Sequence, residues 1–186
     1  MGHRLLARQR TRLVVMFLVL LIGIATVLHP VAWGGELENK VKTAYIYNFT
    51  KFIDWPGDTG AETSAPLKIC FLGSDPLRTL LGELNNRQVR GRSIKVVRIK
   101  DVDAIPPCNV IFISRSEERK LSLILERLQG THALTVSDIS QFSHKGGMIG
   151  FVTENERVKI EVNQKSVRLA GLKVSAKLLE IARVIP

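Results

Sequence analysis

Cys70 and Cys108 are the only two cysteines of the 186-residue chain, and thiols can pair, hold a metal or attack a carbon. A metal site finds little support, because from residue 35 onward only His132 and His144 could join them, and neither stands at ligand spacing. A bridge or two buried thiols remain. Ser74 and Asp75 follow Gly73 at the end of a short apolar run (67–73). That puts them at the carboxyl end of a first strand, where open α/β sheets bind ligands. Ser74, Asp75 and Pro76 also read as the cap and first turn of a helix, which needs no ligand. The remaining signatures of catalysis are missing: no nucleophile elbow, no phosphate-binding loop and no zinc-protease helix motif occurs. Gly146, Gly147 and Gly150 follow a helical stretch and open a strand. This is the reverse of the dinucleotide fingerprint's context, so a tight turn is expected. No catalytic residue, metal or cofactor is predicted, and the chain reads as a protein that is not an enzyme.

Two surface features could serve binding. Arg87, Arg90, Arg92, Lys95, Arg98 and Lys100 form a run with no acidic residue between them. The aromatics concentrate elsewhere, in the opening helix, so the run lacks the interleaved stacking platforms of a nucleic-acid surface. A solvated face, an acidic partner or anionic headgroups are the readings left. Tyr47 and Trp55 lie off the apolar stripe of that helix, and Phe151 lies in a late strand. These three are candidates for protein contact, with core packing as the alternative reading of each.

The elements that must position these residues are legible in the periodicity. Val41, Ala44, Tyr45, Asn48, Phe49 and Phe52 follow steps of three and four, which predicts a helix over residues 36–55. A Gly, Ser, Thr and Pro-rich stretch (56–66) separates it from the body of the domain. Strands are predicted over 67–73, 93–100, 109–114 and 132–137, with helices between them. That alternation gives an α/β fold, a three-layer sandwich around a mainly parallel sheet. Residues 148–152 and 157–163 are expected to form a hairpin. Val158, Ile160 and Val162 would face inward, and Arg157, Lys159 and Glu161 outward. Short helices are predicted over 164–170 and 175–184, completing a C-terminal hairpin plus helices.

Residues 1–34 carry Arg4, Arg8, Arg10 and Arg12, then sixteen uncharged residues from Leu13 to Leu28, then Ala32 and Gly34 before a cut at Gly35. Sixteen helical residues reach about 24 Å against a hydrocarbon core of about 30 Å. The segment is therefore read as a secretory signal cleaved near Gly34, with a retained anchor as the alternative. Removing four arginines takes the formal charge from +10 to 10 − 4 = +6 over residues 35–186, one domain's length of chain. Export argues against nucleic acid as a partner. It also favours a Cys70–Cys108 bridge, since an even count in an oxidising compartment tends to pair.

Two stretches carry a resemblance. VKTAYIYNFTKFIDWP (41–56) and GGMIGFVTENERVKIEVNQKSVRLAGLKVSAKLLEIARVI (146–185) resemble the opening and the ending of the YfiR family of periplasmic proteins. The likeness covers essentially the whole exported chain. It implies a periplasmic repressor that binds the sensor region of an inner-membrane diguanylate cyclase, lowers cyclic di-GMP and can be sequestered by an outer-membrane lipoprotein. It also implies an α/β domain that dimerises and is supported by disulfides. The chain departs from the pattern in lacking a second cysteine pair toward its end. The rival expectation is a periplasmic small-ligand sensor, with its pocket at Gly73, Ser74 and Asp75.

Overall fold

The computed structural model describes residues 32–57 and 65–185, so the signal read at 1–34 and the loose stretch read at 56–66 fall largely outside the described residues. Leu37–Pro186 form one compact unit. Among the described residues, no helix is long and apolar enough to cross a membrane.

The chain runs α1 (Ala32–Phe52), β1 (Ile53–Asp54), β2 (Leu67–Leu72), α2 (Leu77–Gly82), β3 (Gln88–Val89), β4 (Arg92–Ile99) and β5 (Val110–Ile113). It continues as α3 (Leu121–Arg127), β6 (Leu134–Ser137), β7 (Ile149–Glu154), β8 (Arg157–Asn163), α4 (Gln164–Leu169), β9 (Lys173–Val174), α5 (Ala176–Glu180) and β10 (Ala182–Ile185). Eight strands make one sheet in the order β10-β8-β7-β6-β5-β2-β4-β3. The run β4-β2-β5-β6-β7 is parallel, with β8 antiparallel beside β7.

Helices cover both faces, which is why the central strands are apolar without interruption. Val110 and Phe112 of β5 face a core shared with Ile46 and Phe49 of α1 and Leu77 and Leu81 of α2. Ile111 and Ile113 face the opposite core, with Leu121 and Ile124 of α3. This is the three-layer α/β sandwich that alternating strands and helices imply.

Three elements depart from the periodicity. The opening helix stops at Phe52, because Ile53 and Asp54 pair with Val174 and Lys173 in a separate two-stranded sheet. The last helix, expected over 175–184, is a short turn capped by Ser175, whose Oγ accepts from the Leu178 amide at 3.4 Å. From Ala182 the chain extends instead and pairs in parallel with β8. The exposed N–H and C=O groups of β8's edge offer more bonds than one further helical turn would. Glu161, expected on the wet face of β8, is only 6% exposed. The segment that follows β6 lies over that face: the Ser143 hydroxyl donates to Glu161 Oε2 at 2.9 Å, and Asn163 donates to the Ser143 carbonyl at 2.8 Å.

The β7–β8 hairpin turns through two residues, since Glu154 pairs with Arg157, and Asn155 and Glu156 have φ of 50° and 60°. Both angles are left-handed, as the tight hairpin turn demands, and a glutamate at the second position is strained. Glu156→Gly is expected to raise stability by about 0.5–1 kcal/mol, the strain relieved less the entropy glycine gains when unfolded. Urea unfolding checks it.

Candidate functional site at the carboxyl edge of the sheet

Because α2 and α3 cover opposite faces, the chain leaves β2 and β5 in opposite directions, and that divergence is where open α/β sheets form ligand crevices. Here the crevice is filled by the protein's own groups. The Ser74 amide donates to Ser116 Oγ at 2.9 Å, and the Ser114 hydroxyl donates to the Ser74 carbonyl at 3.0 Å. Gly73 permits this closeness: its φ is +101°, and a Cβ there would lie 2.5 Å from Ser116 Oγ and 2.8 Å from Ser114 Cβ. Asp75 turns its Oδ1 to the Leu77 amide at 2.8 Å, capping α2 from two residues away. Burial pushes the Asp75 carboxyl above its usual range, and the charge of Asp138 adds to this. The Leu77 amide, Lys42 and Arg115 oppose the rise.

Two clefts flank the closed centre. On the β4 side, a cleft of about 480 Å³ is lined by Gly73, Ser74, Asp75, Arg78, Thr79 and Arg98. On the β6 side, a cleft of about 490 Å³ is lined by Glu38, Lys42, Arg115, Asp138, His144 and Glu161, among others. Lys42 is 4% exposed, and its ammonium lies 2.8 Å from both Glu38 Oε1 and Asp138 Oδ2. Asp138 extends directly from the end of β6, and Arg115 donates to its carbonyl at 2.8 Å. Asp138 Oδ1 is buried with no hydrogen-bond partner. Burial pulls the Lys42 pKa down, but the hydrogen bonds to Asp138 and Glu38, with the charges of both, outweigh it and hold the value above 10.5. The group is thus a fixed cation and a poor nucleophile or base. Glu161 on the far wall is paired with Arg183 at 3.0 Å, and His144 Nε2 stands 3.9 Å from it.

The spacing of Glu38 and Lys42 by four residues was the one sequence signal for this network. Nothing local indicates that Lys42 is buried or that its second partner lies 96 residues away. Of the two described histidines, His132 turns Nδ1 to the Ala170 carbonyl at 2.7 Å and His144 faces Glu161, so neither is paired with a serine. Among the described residues no cluster of His, Cys, Asp and Glu could hold a metal ion.

The other predicted residues fall as follows. Cys70 and Cys108 form a disulfide, with Cys70 fully buried. Phe151 is 5% exposed and packs against Tyr45 and Phe49, its ring centroid 6.0 and 6.1 Å from theirs. Trp55 is 6% exposed, and its indole N–H donates to the Asn109 carbonyl at 3.1 Å. Both belong to the core, because α1 packs on β7 along one side while the chain beyond its end covers the β5 entry. Tyr47 alone of the three keeps its ring partly open, with the Lys51 ammonium 4.2 Å from the centroid and its hydroxyl donating to the Gln88 carbonyl at 3.4 Å. The basic run is broken up by the fold. Arg90 is spent on Asp54 and the Lys51 carbonyl, and Arg92 on the Ala65 carbonyl, while Arg98 lines the β4-side cleft.

A family model described as YfiR/HmsC-like matches residues 39–183, from α1 into β10. The chain belongs to this YfiR/HmsC-like family. Among solved structures this YfiR/HmsC-like chain is similar to the ABC domain of Streptococcus pneumonia in complex with L-Trp, with a TM-score of 0.48 and 11% identity over 64% of this chain and 55% of that one. It is similar to a conserved domain protein from Vibrio cholerae, with a TM-score of 0.48 and 8% identity over 63% of this chain and 54% of that one. The chain spans about half the length of either, and likenesses this weak carry no argument about function.

Proposed function

We propose that this YfiR/HmsC-like protein is a periplasmic regulator that works by binding another protein: it holds the periplasmic sensor region of an inner-membrane diguanylate cyclase and lowers cyclic di-GMP. The family match across residues 39–183 is the observation that carries this reading. A bridge that suits an oxidising compartment supports the location. Release by an outer-membrane lipoprotein and assembly as a homodimer belong to the same proposal. Tyr47 is the contact residue we put forward, since its ring and the neighbouring Lys51 offer an aromatic and a cation at the surface, a pairing common at interface anchors.

Deletion of the gene in its own host is expected to raise cyclic di-GMP, with the intact gene restoring it. The exported protein should capture a membrane cyclase, and Tyr47→Ala should weaken that capture at temperatures where the variant is still fully folded. Unchanged cyclic di-GMP on deletion, with no cyclase captured, would overturn the proposal.

A further inference from the structure

Arg78 and Arg98 lack what the other cleft residues have. Lys42, Asp138 and Glu161 on the β6 side are held in ion pairs with one another or with Arg115 and Arg183, and Ser143 bonds to Glu161, though Asp138 Oδ1 stays unpartnered. Among the described residues, neither Arg78 nor Arg98 has a side-chain hydrogen bond or ion pair, yet both line the cleft beside Gly73 and Ser74. The fold brings them together by construction. Arg78 stands in the first turn of α2, which lies over the face of the sheet that holds Ile94 and Val96. Arg98 follows those two residues by steps of two along β4, so it belongs to the same face, opposite Phe71 at the carboxyl end of β2. Ser74 and Thr79 add hydroxyl groups to the same wall.

Asp75 is the one acidic residue of that lining, and its Oδ1 is turned to the Leu77 amide. Among the described residues neither guanidinium group is held in an ion pair with it or with another carboxylate. Each presents a planar fork of donors suited to two oxygens of one anion. Two forks and two hydroxyls supply more donors than a single carboxylate can accept, and they match the three oxygens and near-double charge of a phosphomonoester. The cleft also continues past Gly73, Ser74 and Arg98 into a second one of about 660 Å³, whose wall mixes Lys100 and Lys120 with Asp101, Asp103 and Glu117 and so favours the phosphate at the Arg78 end. That leaves room for the rest of a small molecule. A recessed wall of this kind suits a soluble ligand better than the flat face of a bilayer.

We propose that the cleft formed by Ser74, Arg78, Thr79 and Arg98 binds the phosphate group of a small soluble phosphomonoester. The ligand site is independent of which protein the chain regulates. The test is calorimetric titration of the exported protein with inorganic phosphate and with glycerol 3-phosphate at fixed ionic strength. One saturable equivalent per chain is expected, tightest for glycerol 3-phosphate. Arg78→Gln with Arg98→Gln should weaken binding about tenfold or more while leaving the melting temperature in place, since neither side chain holds the fold. Lys165→Gln, which removes one charge on α4, should leave binding unchanged. Absence of saturable binding up to about 10 mM would overturn the proposal. So would undiminished binding by the double variant, equal weakening by Lys165→Gln, or attachment only to vesicles containing phosphatidylglycerol.

Discussion

Replacing Cys70 and Cys108 together by alanine is expected to destabilise the domain by about 4 kcal/mol. The bridge closes a sequence separation of 38 residues, and the entropy an unfolded chain regains when such a loop opens is of that size. The closed segment holds β2, α2, β3 and β4, so it ties the first strand of the sheet to the stretch that introduces β5. Cys70 also belongs to the core on the α3 face, where shrinking a buried side chain adds a packing loss. Domains of this length are stable by about 5–15 kcal/mol, so the variant should remain folded in the cold but with little margin at growth temperature. Urea unfolding of the oxidised protein, the reduced protein and the double variant checks this. The last two should unfold at similar, lower concentrations, and a loss below about 1 kcal/mol would show the bridge to be dispensable.

Lys42→Met is expected to cost about 3 kcal/mol at pH 7, because it leaves the mostly buried Asp138 carboxylate, whose Oδ1 has no partner in any case, without its closest cation. Arg115 lies 3.9 Å from Asp138 Oδ2 and is mostly exposed, which makes it a weak substitute. Removing the charge it would strand should recover part of the loss, so Lys42→Met with Asp138→Asn is expected to be more stable than Lys42→Met alone. The pH dependence has a definite sign. Lys42 binds its proton more tightly folded than unfolded. Its contribution is therefore complete below the ordinary value of 10.5 and fades as pH rises through the higher folded value. The gap between wild type and Lys42→Met should stay level from neutral pH to about pH 10 and narrow above it.

The parallel strands and the hairpin could be read from the chain because each is a short apolar or alternating run bounded by turn residues. Gly130, with φ of 74°, is a turn residue of this kind after α3. What could not be read depends on partners distant in sequence. Ala182 continues the helical stripe of Leu178 and Leu179, and only the open edge of β8 makes Ala182–Ile185 a strand. Glu161 obeys strict alternation and would be wet if nothing lay over β8; its burial comes from Ser143, eighteen residues earlier. Trp55 and Phe151 look like surplus aromatics when one buried face of their own element is considered alone. Packing against Asn109 on one side and Tyr45 on the other uses both. The strand-end residues Gly73, Ser74 and Asp75 were legible as a place, but of the arginines beside them Arg98 was hidden within a run of six basic residues that the fold distributes to different tasks, and Arg78 stood outside that run.

Trp55 and Cys108 line one cavity, and the indole is bonded to the residue that follows the cysteine. A disulfide is an efficient electron acceptor from an excited indole, whereas a pair of thiols is a poorer one. The domain thus carries an optical gauge of its own oxidation state. Emission from Trp55 should brighten when the bridge is reduced and dim when it re-forms, so the redox history of a sample can be followed in real time without a label.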